Sequence, residues 1–190
     1  MRVLGISGSL RRGSLNSALL RAAAERLPAG VELVEFGNLR GIPPYDADAE
    51  AVATPDAVRE LRGAMREADA VLIATPEYNH SIPGVLKNAL DWASRPAGKS
   101  ALNGKPAAAI GASTGMFGAV WAQAETRKVL SALGGRVIET ELPVARADTL
   151  LVDGRLELEP PQSEQLGELL AELIAAAEEA EEFARERVAA

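Results

Sequence analysis

Residues 5–16 read Gly5-Ile-Ser-Gly-Ser-Leu-Arg-Arg-Gly-Ser-Leu-Asn16 and connect a short apolar strand at residues 3–6 to a helix that begins near Asn16. A glycine- and serine-rich turn between a strand and a helix leaves several backbone N–H groups unpaired and pointing in one direction. The helix dipole adds partial positive charge at the same point, so the turn predicts an anion site, most often one for phosphate. Arg11 can close over the anion as a charged fork. Four side chains in or beside the turn offer further donors: Ser9, Ser14, Asn16 and Ser17.

The same turn is also compatible with an ordinary serine-capped connection that binds nothing. Two better-known phosphate loops do not match it. No Gly-Lys-Ser/Thr follows at P-loop spacing, and the separation of Gly5 from Gly8 differs from the G-x-G-x-x-G pattern. The turn therefore favours phosphate without identifying the molecule that carries it.

The composition predicts one soluble globular domain and limits its chemistry. The chain has 190 residues, of which 47% are hydrophobic and 25% charged. It contains no cysteine, which excludes disulfides, thiolate nucleophiles, zinc ribbons and iron–sulfur clusters. His80 is the only histidine, so a Ser-His-Asp triad or a histidine-based metal site would depend on it. A redox function would therefore need a bound organic cofactor to carry the electrons.

The net charge of −7 comes from the C-terminal part of the chain, since residues 157–190 hold ten glutamates and two arginines. No basic face is evident, so nucleic acid is not expected as a partner. No apolar run approaches the roughly 20 residues of a membrane span. Met1 and Arg2 lead directly into the first strand without a secretory leader. We therefore expect a cytoplasmic protein that does not associate with membranes.

Strands and helices alternate along the chain, which predicts an α/β fold with a parallel sheet and helices on both faces. A long helix from about residue 161 is predicted as a C-terminal extension of a single domain that spans residues 1–190. A long irregular stretch at residues 36–54 is expected to cover a site. A small hairpin is expected at residues 150–158. The five predicted strands lie at residues 3–6, 31–35, 70–74, 107–112 and 136–142.

Three polar loops follow the first, third and fourth predicted strands, at residues 7–16, 75–81 and 113–118. In open parallel sheets, ligands bind beyond the carboxyl ends of the strands, at the point where the strand order reverses. A flavodoxin-like strand order, 2-1-3-4-5, makes these three strands neighbours. We therefore expect the three loops to converge on one ligand.

Three segments together resemble the NADPH-dependent FMN reductase family, a flavodoxin-like group that includes FMN reductases, quinone reductases, chromate-reducing enzymes and some azoreductases. The resemblance extends over about residues 1–145. The segments are Gly8-Ser-Leu-Arg-Arg-Gly-Ser-Leu-Asn16, Thr75-Pro-Glu-Tyr-Asn-His-Ser-Ile-Pro-Gly-Val-Leu-Lys-Asn-Ala-Leu-Asp-Trp92 and Leu102-Asn-Gly-Lys-Pro106.

The resemblance implies a tightly bound, non-covalent FMN with NAD(P)H as its electron donor. It assigns the FMN phosphate to Ser9, Arg11, Ser14, Asn16 and Ser17. It assigns the isoalloxazine, largely through backbone groups, to Pro76, Glu77, Tyr78 and Asn79. The other side of the ring and the ribityl chain are assigned to Ser113, Thr114 and Gly115. One departure concerns Gly115-Met-Phe-Gly-Ala119, where members often carry Gly-Arg-Phe-Gly-Gly, and the resemblance therefore assigns no residue to nicotinamide or substrate contact here.

The sequence is therefore interpreted as an FMN-dependent NAD(P)H oxidoreductase that reduces quinones, free flavin, azo compounds or similar acceptors by two electrons. A ping-pong mechanism is expected because one flavin face holds one flat ring at a time. No metal and no catalytic side chain are expected, and His80 is interpreted as a neutral surface residue. Members of the family are usually dimers or tetramers, so we expect a homodimer or homotetramer. The alternative is a flavodoxin-like electron carrier that uses no nicotinamide.

Overall fold

A computed structural model of the protein describes the backbone of residues 1–189 and the side chains of residues 1–186. The elements in chain order are β1 (Arg2–Ser7), α1 (Leu15–Ala24), β2 (Glu32–Glu35), α2 (Ala47–Val52), α3 (Asp56–Glu67), β3 (Ala70–Ala74), α4 (Gly84–Ala93), β4 (Pro106–Ala112), α5 (Val120–Ala132), β5 (Arg136–Val137), β6 (Pro143–Val144), β7 (Leu151–Val152), β8 (Arg155–Leu156) and α6 (Pro160–Ala189). A 3₁₀ helix at Leu39–Gly41 lies between β2 and α2. Five strands pair in parallel in the order β2-β1-β3-β4-β5, which confirms the predicted flavodoxin-like order, and the short β6 also pairs with β4.

The centre of the sheet is formed by β1, β3 and β4, whose residues are almost all buried. A continuous apolar run such as that of β3 is typical of a parallel strand that is covered on both faces. The register aligns Ile6 with Ile73, and Ile73 with Ala109, so the three strands end at nearly the same level. The loops that follow these strands therefore start side by side at one edge of the sheet.

Helices cover both faces of the sheet because each carries one apolar stripe. Val58, Leu61 and Met65 of α3 are fully buried at helical spacing, and they pack with α4 and α5 on one face. α1 and the first half of α6 cover the other face, where Leu19 and Leu170 belong to the same core cluster. The site therefore lies at the end of a rigid three-layer scaffold.

The predicted fifth strand at 136–142 is wrong in its length, because only β5 and β6 pair with β4 and the chain leaves the sheet between them. The fully buried Gln123 accepts a hydrogen bond from the Leu142 N–H at 3.0 Å and donates to the Gly118 carbonyl at 3.0 Å. Arg127 pairs with both Glu139 and Glu141. Side chains of α5 thus bind the segment between β5 and β6, whose ends stay hydrogen-bonded to β4 through the Ile138 N–H and the Leu142 carbonyl.

The stretch at 36–54 was expected to be irregular, but it contains α2 and the 3₁₀ helix. α2 is fixed to the body of the protein through Glu50, which pairs with Arg62 at 3.3 Å and Arg95 at 3.0 Å and accepts the Tyr45 hydroxyl at 3.1 Å. Burial opposes ionisation of Glu50, but hydrogen bonds from Arg95, Tyr45 and Arg62 outweigh it, so the pKa of Glu50 lies below its ordinary value.

The predicted hairpin forms from β7 and β8, which turn at Asp153 and Gly154, both with positive φ. α6 buries Leu166, Leu173 and Ala177, which lie on one face of the helix. The helical spacing also predicts Ala184 on this face, but Ala184 is exposed, because the helix there has passed the edge of the core. Within residues 1–189, no helix is both long enough and apolar enough to cross a membrane.

Candidate functional site

The three predicted loops meet in one open cleft of about 230 Å³ at the carboxyl edge of the sheet. Nine of the twelve predicted site residues line this cleft, whereas Ser17, Asn79 and Gly115 are not among its lining residues. Leu15 and Ala112, which were not predicted, complete the lining. The full set is Ser9, Arg11, Ser14, Leu15, Asn16, Pro76, Glu77, Tyr78, Ala112, Ser113 and Thr114.

The three loops are numbered after the strands that they follow: the first loop (residues 7–16) follows β1, the third (75–81) follows β3 and the fourth (113–118) follows β4. The first loop approaches the third loop closely at Gly8. The Gly8 N–H donates to the Ala74 carbonyl at 2.8 Å. A Cβ at this position would lie 3.1 Å from a methyl of Leu86 and 3.2 Å from the ring of Pro76. Glycine therefore allows the phosphate-type loop to pack directly on the loop after β3.

The start of α1 forms an anion site from backbone groups. The buried Ser14 is the N-cap residue, and its hydroxyl oxygen accepts the Ser17 N–H at 3.2 Å. The Ala18 N–H donates to the Ser14 carbonyl. Within the part of the chain that the structure describes, no acceptor is bonded to the backbone N–H of Leu15 or Asn16, and both residues line the cleft. Two donors at a helix N-terminus therefore remain for an anion.

Asn16 has a second role that sequence reasoning missed. Its side-chain amide donates to the Ala112 carbonyl at 2.9 Å and accepts the Ala112 N–H at 2.9 Å. Both residues are buried. The last residue of β3, Ala74, pairs with Ile110, so β3 does not extend to Ala112. The Asn16 amide supplies the two hydrogen bonds that a neighbouring strand would otherwise make with Ala112. The side chain thus joins the first loop to the end of β4.

Three guanidinium groups give the first loop positive charge. Arg11 and Arg12 are exposed, and within residues 1–186 neither forms an ion pair with a carboxylate. Arg40, on the 3₁₀ helix, donates to the Leu10 carbonyl at 3.1 Å. Arg40 was not predicted, because its place beside the loop depends on the path of the chain after β2. An anion at the cleft would meet uncompensated positive charge.

The third loop is a rigid turn. Thr75 and Pro76 are buried, and the Thr75 hydroxyl donates to the Pro76 carbonyl at 2.8 Å. Tyr78 and Ser81 exchange backbone hydrogen bonds at 3.0 and 3.1 Å around Asn79 and His80. Both central residues have positive φ, 53° and 60°, as a type I′ turn requires. The turn directs Asn79 away from the cleft lining and leaves Tyr78 about half exposed at its rim.

The carboxylate of Glu77 is bonded to α5. Its Oε2 accepts the Trp121 N–H at 3.0 Å and the Ala122 N–H at 3.1 Å. Its Oε1 lies 3.7 Å from Nδ1 of His80. Glu77 therefore lines the cleft while its carboxylate caps a helix.

The fourth loop is held from behind by the segment that follows β6. The Ser113 N–H donates to the Val144 carbonyl at 3.0 Å, and the Ser113 carbonyl accepts the Ala147 N–H at 2.9 Å. The Gly115 carbonyl accepts the Arg146 N–H at 3.0 Å, so Gly115 faces this segment. Ser113 and Thr114 form the wall of the cleft opposite the third loop.

Aromatic side chains form an exposed rim beside the cleft. Trp121 contacts His80 edge-on at 4.8 Å between ring centroids and Phe117 at 5.0 Å. Phe117 and Met116 are each more than half exposed. Among the described residues, no group of three or more acidic or histidine side chains could hold a metal ion. The site thus offers backbone donors and cations at one end, and backbone walls with an aromatic rim at the other.

Comparisons with known proteins agree with this geometry. The family model for NADPH-dependent FMN reductase matches residues 1–149. An NAD(P)H-dependent FMN reductase from Pseudomonas aeruginosa is 52% identical over 130 residues, which are 68% of this chain and 69% of that protein. A 2-hydroxy-1,4-benzoquinone reductase from a Burkholderia species is 44% identical over 133 residues, which are 70% of this chain and 72% of that protein.

A solved structure resembles the chain over nearly its whole length. It is that of FerB, a flavoenzyme NAD(P)H:(acceptor) oxidoreductase from Paracoccus denitrificans, which superposes with a TM-score of 0.81 at 34% identity. The match covers 94% of this chain and 98% of that one.

Proposed function

The chain belongs to the NADPH-dependent FMN reductase family, and from this premise we propose that it binds FMN in the cleft and reduces quinones or similar flat acceptors with NAD(P)H. The observation that carries the proposal is the convergence of three loops on one cleft with anion donors at one end and two backbone walls at the other. A flat ring with a phosphate tail matches this division.

The phosphate end is assigned to the first loop. The free N–H groups of Leu15 and Asn16 would donate to the phosphate, and the Ser14 hydroxyl, whose oxygen already accepts the Ser17 N–H, still has its hydrogen to donate. Arg11 would close over the oxygens as a charge-assisted partner. Ser9 lines the same part of the cleft. Ser17 has only an indirect part, because its N–H orders Ser14.

The ring end is assigned to the walls formed by Pro76–Tyr78 and Ser113–Thr114. FMN bound there would accept a hydride from the nicotinamide and pass electrons to the second substrate. The chain itself orients the ring between two ordered loops and leaves one face open toward the aromatic rim. Hydride transfer depends on stacking and distance, so no acid or base side chain is required at the site.

Two measurements test the proposal on purified protein. Its absorption spectrum should contain flavin bands, and the cofactor released by denaturation should co-migrate with FMN. NAD(P)H consumption should depend on an added quinone. Bound flavin without quinone-dependent NAD(P)H consumption would favour the flavodoxin-like electron carrier. Absence of flavin after reconstitution with FMN would contradict both functions.

We also propose that a second copy of the chain covers the aromatic rim. Phe117, Met116 and Trp121 are exposed beside the cleft, and large exposed apolar patches of this kind are typical of interaction sites. Light scattering should therefore give a homodimer or a homotetramer. An active, FMN-loaded monomer at assay concentration would contradict this proposal. A cytoplasmic location is proposed because NAD(P)H is supplied there, and cell fractionation tests it.

A further inference from the structure

α5 begins beside the cleft without a cap of its own. Its N-cap residue, Ala119, has φ of 61° and no side chain that could accept a hydrogen bond. The carboxylate of Glu77, from the third loop, accepts the N–H groups of Trp121 and Ala122 instead. A negative charge at this point also interacts favourably with the helix dipole. The third loop therefore completes the first turn of α5.

α5 makes the corresponding contact in the opposite direction. Glu125 accepts the Ser81 hydroxyl and, at 3.3 Å, the Ile82 N–H, both at the end of the third loop. Each of the two elements thus contributes one carboxylate that binds backbone or hydroxyl donors of the other. His80 of the third loop also contacts Trp121 of α5 edge-on.

The two elements joined in this way carry opposite walls of the cleft. Glu77 lies between Pro76 and Tyr78 in one wall, and α5 is preceded by the loop that contains Ser113 and Thr114 in the other. On its far side that loop packs closely on the backbone of β6, since a Cβ at Gly118 would lie 2.4 Å from the Pro143 carbonyl carbon. The contacts of the two carboxylates therefore link the elements that carry the two walls.

We propose that Glu77 and Glu125 form a reciprocal clamp that sets the width of the ring-binding slot, and that both are positioning residues for hydride transfer. The inference rests on the proposed function. Glu77 acts here as an acceptor of two N–H groups, and neither carboxylate gives or takes a proton in the reaction. Misplacement by about 1 Å can slow an enzymatic step by up to about a hundredfold, so a clamp of this kind affects rate more than affinity.

The first experiment examines the clamp in the protein without FMN. Amide hydrogen exchange by NMR should be slow at Trp121, Ala122 and Ile82 in the wild type. Glu77→Ala should accelerate exchange at Trp121 and Ala122. Glu125→Ala should accelerate exchange at Ile82 and, because the clamp is reciprocal, also at Trp121. Glu77→Gln should retain slow exchange, because its amide oxygen can accept the same two N–H groups.

The second experiment examines the slot with FMN saturating, well below the melting temperature of every variant. Glu77→Ala and Glu125→Ala should alter the visible circular dichroism of bound flavin and slow its anaerobic reduction by NADPH about tenfold or more. The ratio of FMN to riboflavin affinity should stay unchanged, since the phosphate end is intact. Glu77→Gln should remain within about threefold of wild type. Glu172→Ala is the matched control, because Glu172 also accepts a hydroxyl, that of Thr140, and neither residue lines the cleft.

Three outcomes would overturn the proposal. Wild-type flavin dichroism and reduction rate in Glu77→Ala would make Glu77 a helix cap alone. If flavin reduction in Glu77→Gln were as slow as in Glu77→Ala, the negative charge itself would be needed, and accepting the two N–H groups would not be sufficient. Wild-type flavin dichroism and reduction rate in Glu125→Ala would show that Glu125 does not contribute to the clamp. If Glu77→Ala does not fold, the result for Glu125→Ala decides the proposal. If the wild type binds no FMN, the proposed function fails, whereas the exchange data still decide whether the clamp exists.

Discussion

Asn16→Ala is predicted to destabilise the protein before any cofactor is added. The side-chain amide of Asn16 is bonded in both directions to the backbone of Ala112, at 2.9 Å each. Both residues are almost fully buried, at 2% and 1% exposure. The alanine variant leaves one N–H and one carbonyl at the end of β4 without their partners, so the effect concerns folding as well as binding.

The magnitude follows from those two groups. A buried backbone donor or acceptor left unpaired costs about 1–3 kcal/mol, so two of them cost about 2–6 kcal/mol. Both residues line the cleft, and water entering the space of the lost amide can replace part of the loss. We therefore expect the lower part of this range, about 2–4 kcal/mol of unfolding free energy.

Urea unfolding of the FMN-free protein measures this change. At a slope of about 2 kcal/mol/M, the unfolding midpoint should fall by about 1–2 M. Asn38→Ala is the matched control, because Asn38 makes an exposed hydrogen bond to Glu60, and its loss should cost no more than about 0.5 kcal/mol. A midpoint as little changed as that of the control, combined with a large loss of FMN affinity, would refute the bridging role. It would show that the Asn16 amide serves the ligand.

Four further predictions concern the cleft, the backbone, acid stability and kinetics. Arg11→Ala should lower FMN affinity about tenfold to a hundredfold and leave riboflavin affinity nearly unchanged in equilibrium titrations, because only FMN presents the phosphate; equal losses would contradict this. Gly118→Ala should lower the free energy of unfolding by about 2–5 kcal/mol in urea unfolding, since φ is +57° and the new Cβ would lie 2.4 Å from the Pro143 carbonyl carbon. Gly63→Ala is the control: it lies within α3 with open space around it and should stabilise the protein by about 0.5–1 kcal/mol. Because the pKa of Glu50 is lowered in the folded protein, ionised Glu50 stabilises the fold fully above its ordinary pKa of 4.5, and this stabilisation is lost as the pH falls below 4.5 through the lowered pKa. Glu50→Gln should therefore flatten the acid limb of a plot of Tm against pH. Initial rates with NAD(P)H and quinone should give parallel double-reciprocal lines, and intersecting lines with a detectable ternary complex would show that both substrates fit at once.

Local sequence patterns predicted the fold and the general position of the site. The continuous apolar run of β3 and the alternation of strands with helices determine a parallel sheet, and the register of that sheet brings the loops together without further information. Nine predicted residues line the cleft because each belongs to one of the loops that directly follow β1, β3 and β4. Because the sequence shows which residues follow a predicted strand, these residues could be predicted from the sequence alone.

Sequence patterns are insufficient where contacts between specific residues decide the outcome. β5 is shorter than expected because Gln123 and Arg127 on α5 bind the segment after it. Asn79 is not among the cleft-lining residues because it and His80 both adopt positive φ at the tip of a tight turn, and neither residue is glycine. The side chains of Asn16 and Glu77 bind Ala112 and the start of α5, which are remote in sequence. No local pattern contains these pairings.

Asn16 and Glu77 share a feature that bears on how such a site works. Sequence reasoning assigned Asn16 to the FMN phosphate and Glu77, largely through backbone groups, to the isoalloxazine. The side chains of both residues are bonded to backbone groups of the scaffold. What they leave toward the cleft is backbone N–H, ordered walls and the cation of Arg11. A chain with no cysteine and a single histidine can support redox chemistry in this way, because a bound flavin supplies the reactive atoms and the protein supplies position. Polar residues beside the cleft therefore act mainly by holding the loops, and their substitution should change rate and stability before it changes which cofactor binds.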